Sequence, residues 1–481
     1  MASVLRRIRP DATYSSRRPD SLIESEGNLS RHSSIQGPYR EGLTDTSFPV
    51  YCMVRSEFRG PRVYARSTLS SGNGVGIYHV EGSISRPKTH FSQGAVLGDV
   101  GYLTERGTFY YCFNIFHAPD DAIQPHSLPP RFSPIDTSLS TENVRRTQNH
   151  FSTGAILCSE GIRYTRKSDS PLKFEFVTSE TEGAVLILPN GATREELVDP
   201  SMIHAYVKEH AVSWYQYLNG NSENTTESPI ANGTLWVVTS VDRTDSWAMA
   251  TFPSQDVGVR HKKEEIHFTY EAKNDEWPWK GDSQTCPLAY TAEHSSEGSV
   301  GAVLLGVLSV ALSPSQWSRN VAYIPPHSVQ SCPVVSVPTV GLQARLQRII
   351  DFIKRNPKPP SLDDPEGNFH PSVILLHILL LSNPSAVVGV IDDSVWIPHL
   401  NKRLLTHPEV VSLVRRVFDN CDILNTDGLV TLVPKNPQNL PSANPSPRKD
   451  FISSYRILSK KRQEPKSIVH QNIAKVLWLP E

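Results

Sequence analysis

Short apolar runs recur along the chain from Phe48 to about residue 325, each bounded by Gly, Pro, Asn or Asp or by a charged residue. The runs are "PVYCMV", "GVGIYHV", "GTFYYCFNIF", "TGAILC", "KFEFV", "GAVLILP", "TLWVVTSV", "SWAMATF", "EIHFTY" and "GAVLLGVLSVAL". Short runs between turn-forming residues are typical of β-strands. The pattern therefore predicts a β-rich domain over residues 46–330.

A single amphipathic helix is predicted to interrupt these strands. Asp199 suits the N-cap, Pro200 suits the first helical position, and Gly220 ends the pattern. The apolar face repeats every three or four residues through Ile203, Tyr206, Val207, His210, Ala211, Trp214 and Leu218. We expect this helix to pack against the β-rich domain.

The pattern changes after a linker predicted at residues 331–340. Helical spacing is found in "LQARLQRIIDFIKRN", "PSVILLHILLLSN" and "PEVVSLVRRVFDN", whereas "AVVGVIDD" and "LVTLVP" indicate short buried strands. These elements predict a small α/β or helix-rich domain over residues 341–435. The expected fold class is α+β, with a β-rich main domain, one packed helix and this smaller domain.

Residues 298–313 carry no charged side chain and raise the question of membrane contact. Their continuous apolar part is about 13 residues, shorter than the roughly 20 that a membrane-spanning helix needs. Leu308, Val310 and Leu312 alternate with mostly smaller residues, as in a strand. The sequence favours a buried core strand and leaves a membrane-acting segment as the alternative.

Both ends of the chain differ from its middle. Residues 1–45 are rich in Ser, Arg, Pro and Gly without an apolar period, so we expect disorder there. Residues 436–481 are predicted to form a Pro-rich linker and a basic tail. Basic ends suggest contact with an acidic protein partner, while a net charge of −1 argues against specific nucleic-acid binding.

The six cysteines lie far apart and form no CxxC pair, which predicts neither a zinc site nor a compact disulfide framework. The N-terminus has charge but lacks the apolar core of an ordinary secretory signal. Reduced thiols and a cytoplasmic location are therefore expected.

Asp392 and Asp393 are the strongest candidates for chemistry. They directly follow a predicted buried strand, the position at which open α/β sheets place ligand sites. A divalent metal is the ligand that such a carboxylate pair suggests. The alternative is a structural role, in which the two acids cap or turn the chain.

The stretch "ANGTLWVVTSVDRTDSWAMATF" holds a polar cluster between two apolar runs. Asp242, Arg243 and Asp245 are the members that could form a site. Residues 242–246 are also suited to a hairpin loop between two strands, through local hydrogen bonds of Asp, Thr and Ser. The sequence favours the loop and leaves the site open.

No cofactor is predicted. The glycines of "SGNGVGIY" lack the spacing of a dinucleotide loop, and "CDILNTDGL" lacks the acidic first and last ligands of a calcium loop.

Ser446 is a candidate phosphorylation site in the tail. Pro447 follows it and Lys449 lies three residues on, an arrangement favoured by proline-directed kinases. A phosphate there would offset part of the basic charge of the tail. The alternative is a linker with a chance Ser-Pro pair.

Two segments of the chain resemble each other. "HFSQGAVLGDVG" at residues 90–101 and "HFSTGAILCSEG" at residues 150–161 share seven of twelve positions. Two similar strand entries into one sheet domain fit this similarity, and so does chance.

Several motifs together resemble a large group of uncharacterised proteins from basidiomycete fungi. They are "GDVGYLTERGTFYYCFNIFHAPDD", "GAVLILPNGA", "HAVSWYQYLNG", "NGTLWVVTSVDRTDSWAMATF" and "FHPSVILLHILLLSNPSAVVGVIDDSVW", within about residues 95 to 400. In that group the loop after "LWVVT" tends to carry Gly-Cys-Asp-Lys, where this chain has Ser240, Val241, Asp242 and Arg243. The resemblance implies a fungal origin and supplies no activity.

The leading functional hypothesis is a non-catalytic, intracellular interaction protein that binds a protein partner. One alternative is a metal-dependent enzyme that uses Asp392 and Asp393. The other is a membrane-acting protein that uses residues 298–313, although we expect no membrane partner.

Overall fold

The computed structural model describes residues 59–80, 86–136, 139–167, 172–180, 182–220, 230–252, 265–272, 278–281, 288–293, 300–321, 370–401 and 407–435. Several predictions concern residues outside these ranges. They are the disorder of the N-terminal segment, the linker at 331–340, the helix in "LQARLQRIIDFIKRN", the strand in "PVYCMV" and the basic tail.

The α-helices are α1 Arg59–Ser70, α2 Lys88–Gln93, α3 His204–Gly220, α4 Pro314–Asn320, α5 Pro371–Ser382, α6 Asp393–Trp396 and α7 His407–Asn420. A 3-10 turn, Pro200–Ile203, leads into α3, and another, Ile397–His399, follows α6.

The strands are β1 Val75–Gly76, β2 Asp99–Leu103, β3 Phe109–Asn114, β4 Val144–Phe151, β5 Ala155–Cys158, β6 Ile162–Arg166, β7 Lys173–Thr178, β8 Gly183–Leu188, β9 Ala192–Leu197, β10 Leu235–Thr244, β11 Ser246–Phe252, β12 Ile266–Glu271, β13 Trp279–Gly281, β14 Leu288–Glu293, β15 Gly301–Leu312, β16 Val388–Asp392, β17 Cys421–Thr426 and β18 Leu429–Pro434.

The largest sheet, called sheet A, is built around the long antiparallel pair β10 and β15. Its order is β17-β18-β16-β15-β10-β2-β3, with β1 on β15 and with β9 and β4 continuing from β10. The register of the central pair runs from Leu235 opposite Val310 to Thr244 opposite Gly301, with a shift between Val238 and Ser240. Every residue of β15 is buried, because strands lie on both sides of it and helices cover the sheet.

Helices cover both faces of sheet A. One face packs α5 and α7 through residues such as Ile374, Ile378 and Val414. The other packs α3 through Val207 and Trp214. Helix α5 is apolar around most of its circumference, which suits a helix that is buried on nearly every side.

Two smaller sheets form a sandwich. Sheet B has the order β14-β11-β8-β5 and sheet C the order β13-β12-β7-β6. Apolar side chains of sheet B, among them Val185 and Ile187, meet an aromatic layer of sheet C that includes Phe174, Phe176 and Phe268. Helix α1 covers the opposite face of sheet B, where Leu186 and Met249 belong to the same apolar cluster as Leu69.

The α+β, strand-rich class predicted from the sequence is confirmed. Helix α3 follows its predicted cap Asp199, whose side chain accepts a hydrogen bond from the Ser201 N–H, and it ends at Gly220. Residues 301–312 form the buried strand β15. Among the described residues, no helix is long and apolar enough to cross a membrane.

The predicted division into a β-rich domain and a separate small α/β domain needs correction. Strand β16 pairs antiparallel with β15, from Leu308 opposite Asp392 to Leu312 opposite Val388, and β18 pairs with β16. The C-terminal strands therefore extend sheet A. The local pattern was identified correctly, but sheet hydrogen bonds between distant segments place both parts in one sheet.

Candidate functional site

The carboxylate pair Asp392 and Asp393 lies at the end of β16, as its position after a buried run predicts. Asp392 is the last residue of the strand and the N-cap of α6, and Asp393 opens that helix. Both residues are buried. The question is whether their oxygens are available to a ligand.

Both oxygens of Asp392 accept hydrogen bonds from the protein. Oδ1 accepts from the Ser394 N–H at 2.9 Å, which caps α6, and Oδ2 accepts from the Thr239 hydroxyl at 2.8 Å. Thr239 lies at the register shift of β10. Burial, with a smaller contribution from the neighbouring Asp393, raises the pKa of Asp392 to about 6. Asp392 thus joins the end of β16 to the irregular point of β10.

Asp393 is bound in the same way. Its Oδ2 accepts from the backbone N–H of Val307 at 3.1 Å, and its Oδ1 accepts from the Trp396 indole N–H at 3.1 Å. The same indole donates to the Ser372 hydroxyl at 3.0 Å. No group of three or more His, Cys, Asp or Glu side chains with the geometry of a metal site occurs in the described parts of the chain. The pair thus has the contacts of a structural clamp, meaning that its carboxylate oxygens hold the end of β16 and the start of α6 against β10 and β15.

His370 is a neighbour of this pair that sequence reasoning missed. It is 1% exposed, its Nε2 lies 3.3 Å from Asp393 Oδ1, and its ring packs against Trp236 and Trp396 at centroid distances of 5.2 and 5.4 Å. The Nε2 to Oδ1 distance is that of an ion pair, but neither ring nitrogen makes a hydrogen bond. The only local signal was a histidine directly before the helix-opening Pro371.

The polar cluster at residues 242–246 does not form the predicted hairpin loop. Strand β10 continues to Thr244 and β11 begins at Ser246, and the two strands lie in different sheets. The hairpin prediction is therefore wrong, because residues 242–244 pair with β9 and β15 instead of turning the chain. The segment passes from sheet A to sheet B at Asp245.

Ion pairs with β9 bind two of the three candidate residues in that cluster. Asp242 is buried and faces Arg194, which donates from Nε at 3.1 Å and from Nη2 at 2.6 Å. Burial raises the pKa of Asp242 to about 6, although Arg194 acts against the rise. Arg243 pairs with Glu195 at 2.9 Å, while the exposed Asp245 accepts from the Asn190 amide at 2.9 Å. These contacts connect β9 and the turn before it with β10 and with the residue between β10 and β11.

A second buried histidine and aspartate, His90 and Asp99, were not identified from the sequence. His90 Nε2 lies 2.7 Å from Asp99 Oδ2, and His90 Nδ1 lies 3.3 Å from Arg86 Nη1. Because a carboxylate only accepts and a guanidinium only donates, Nε2 carries the ring proton and Nδ1 accepts. Asp99 also accepts from the Asn114 amide and the Val96 N–H, both at 2.8 Å.

Of the strands whose burial the structure describes, β6 at the end of sheet C is the most exposed. All of its residues after Ile162 are exposed, and Arg163 keeps 75% of its side-chain surface. Among the described residues, β7 is its one strand partner, in an uninterrupted register from Ile162 opposite Thr178 to Arg166 opposite Phe174. Within the described parts of the chain, β6 therefore forms an open edge of sheet C.

The chain matches no known protein-family model, and no curated protein matches it. The candidate phosphorylation site Ser446 lies outside the described residues. The arguments for function therefore rest on the described side chains and sheet edges.

Proposed function

We propose that this is a non-catalytic interaction protein that binds an extended, acidic segment of a partner protein along the edge strand β6. The observation that carries the proposal is the exposed, regular edge of sheet C. An extended peptide can add to such an edge as a further strand, held by main-chain hydrogen bonds and selected by side chains.

The hydrogen bonds of β6 leave backbone groups directed at the open edge. Lys167 N–H donates to the Lys173 carbonyl at 2.9 Å, and residue 167 continues the register of β6 with β7. In an antiparallel ladder, bonded and non-bonded pairs alternate, so Arg163 and Thr165 bond to β7 whereas Tyr164 and Arg166 point their N–H and C=O groups away from it. The Ile162 N–H agrees with this phase, since it donates to the Ser159 carbonyl.

The side chains along this edge suit an acidic segment. Arg163, Arg166 and Lys167 are exposed on or directly after β6. Arg163 pairs with Glu265 and Lys167 with Glu175, while Arg166 lies over the Phe174 ring. Exposed ion pairs contribute little stability, so the carboxylates of an incoming strand can compete for these cations.

The other highly exposed strand, β4, is a poorer edge. Its pairing with β9 is irregular between Thr147 and Phe151, and Asn149 has a φ of 52°. Bulges of this kind bend an edge and prevent strand addition. The regular edge of β6 carries no such irregularity, which favours β6 as the binding strand.

A peptide-binding experiment with two variants of one residue tests the proposal. The probe is a fluorescently labelled synthetic peptide of alternating Glu and Val residues, and binding to the full chain is measured by fluorescence polarisation. Tyr164→Pro removes the outward N–H, whereas Tyr164→Val removes the same ring and keeps the N–H. We expect Tyr164→Pro to bind at least tenfold more weakly than Tyr164→Val, with both variants folded by circular dichroism.

The charge of the occupant is tested separately. Arg163→Glu with Lys167→Glu, two residues on one face of the strand, should weaken binding of the Glu/Val peptide, and a Lys/Val peptide should not bind the wild type. Equal affinity of the two Tyr164 variants, or no binding of the acidic peptide to the wild type, would overturn the proposal.

A further inference from the structure

Helix α1 turns a row of hydroxyl groups toward sheet B. Tyr64, Ser67 and Thr68 of the helix, and Ser71 directly after it, follow at the three- and four-residue spacing that places side chains on one helix face. Two of these hydroxyls have partners: Thr68 Oγ1 donates within the helix and accepts from the Gly76 N–H at 2.8 Å, and Ser71 Oγ donates to the Thr68 carbonyl at 2.6 Å.

The other two hydroxyls have none. Tyr64 Oη and Ser67 Oγ make no hydrogen bond, although Tyr64 is 0% and Ser67 is 4% exposed. A buried hydroxyl without a partner is costly, because it has lost its bonds to water and gained none in return. Such groups are rare in folded proteins, and an ordered water molecule is one explanation for them.

A small cavity lies against both side chains. Its lining includes Tyr64 and Ser67 from α1, Leu157 from β5, Ser159 from the turn after β5, and Leu186 from β8. The Ser159 hydroxyl is already bonded to Ala184, donating to its carbonyl at 3.2 Å and accepting from its N–H at 2.8 Å. The cavity volume is about 10 Å³, which corresponds to one water molecule.

The groups around the cavity are neutral. Burial raises the pKa of Tyr64, with a further contribution from the nearby Tyr78, so the phenol keeps its proton. A neutral ligand that both donates and accepts hydrogen bonds suits two hydroxyls, whereas a metal cation would lack an anionic ligand among these side chains.

We propose that this cavity binds a single ordered water molecule that bridges Tyr64 Oη and Ser67 Oγ, and that the contact between α1 and sheet B is therefore hydrated. The water supplies the missing partner of both hydroxyls and couples their contributions to the stability of the protein. Apolar side chains of α1, such as Ala65 and Leu69, form the dry remainder of the contact.

The direction in which two conservative substitutions change the folding equilibrium constant tests the proposal. If the water is bound, Tyr64→Phe and Ser67→Ala each remove one of its hydrogen bonds and should lower the folding equilibrium constant of the full chain about fivefold. If the hydroxyls are unsolvated, each substitution removes a costly buried group and should raise that constant. Urea unfolding measures this constant. Tyr215→Phe is the control for the loss of a buried hydroxyl that has a protein partner, because the Tyr215 hydroxyl donates to the Val310 carbonyl at 2.7 Å.

The double variant reports whether the two hydroxyls share one water. The factor by which its folding equilibrium constant falls should be clearly smaller than the product of the factors for the two single variants. The reason is that the second substitution acts on a water that has already lost a hydrogen bond. A high-resolution crystal structure of the wild type provides the direct measurement, with solvent density within hydrogen-bond distance of both hydroxyls as the expected result. Stabilised single variants, or no density between the two hydroxyls, would overturn the proposal.

Discussion

Two buried histidines lie beside two buried aspartates in this protein, and the two contacts differ in how their hydrogen bonds are completed. His90 and Asp99 are 2.7 Å apart, and both histidine nitrogens have partners. His370 and Asp393 are 3.3 Å apart, and neither histidine nitrogen makes a hydrogen bond. All four side chains are buried.

The difference lies in what surrounds each histidine. Arg86, Asn114 and the Val96 N–H extend the first contact into a network, and the His90 ring stacks on Tyr111 with centroids 3.7 Å apart. Around His370 the neighbours are the indole rings of Trp236 and Trp396, and the Trp396 N–H is directed at Asp393 and Ser372. The same pair of residue types is therefore a strong connection in one place and mainly a packing contact in the other.

The strongest test of this comparison is removal of Asp99. Asp99→Ala leaves the His90 Nε2 and the Val96 N–H without their partner and takes one from the Asn114 amide. We expect the free energy of unfolding to fall by about 3 to 5 kcal/mol, the range for a broken buried charge contact. Urea unfolding of the full chain measures the change. Asp245→Ala, at an exposed carboxylate, should change it by less than about 0.5 kcal/mol, and a similar loss for both variants would contradict the network interpretation.

A matched pair of histidine substitutions compares the two contacts directly. His90→Leu should lower the free energy of unfolding by about 3 kcal/mol, because Asp99 and Arg86 lose a buried partner. His370→Leu should lower it by about 1 kcal/mol or less, because its nitrogens have no hydrogen bonds to lose. The same unfolding assay serves both. Equal losses would show that the 3.3 Å contact contributes as much as the complete network.

The pH dependence of stability tests the region around Asp393 through its neighbour Asp392. The pKa of Asp392 is about 6 in the folded protein against an ordinary value of 3.8. The folded protein therefore binds the Asp392 proton more tightly than the unfolded chain does. The stability that this proton contributes is fully present below about pH 4 and is lost as the pH rises through about 6. Asp392 contributes on the order of 2 kcal/mol to this fall.

Asp392→Asn should remove that part of the pH dependence. The variant cannot titrate at this position, so its stability should change less than that of the wild type between pH 4 and pH 6. Asp242, whose pKa is also raised to about 6, accounts for a fall that remains in the variant. Unchanged pH profiles of urea unfolding would show that Asp392 does not titrate in this window.

Strong local patterns were predicted well from the sequence. The apolar runs became the buried strands β8, β10, β11 and β15, and the spacing around Trp214 became helix α3. The polar strands β4, β6 and β9 were missed, because their positions hold mostly charged or polar residues. Such strands form where a neighbour supplies backbone partners and opposite charges, as Arg145 opposite Glu196 does between β4 and β9.

The candidate site shows a similar limit. The sequence identified Asp392 and Asp393 as carboxylates behind a buried strand, and their position agrees. Their partners are distant in the chain: Thr239 lies 153 residues from Asp392, and Val307 lies 86 residues from Asp393. No local pattern contains those separations. The structure adds the hydrogen bonds that give both carboxylates the contacts of a clamp.

The two similar segments at residues 90–101 and 150–161 separate what the sequence determined from what the tertiary structure decided. Both contain a glycine in the left-handed region, Gly94 with φ 69° and Gly154 with φ 71°, because both need the conformation that glycine adopts most easily. Before that glycine, His90 lies in helix α2 and is buried, whereas His150 lies in strand β4 and is half-buried. Backbone permissiveness is a property of the residue, so the sequence sets it. Helix or strand, and buried network or open edge, depend on which distant strands and charges lie alongside, and only the tertiary structure supplies them.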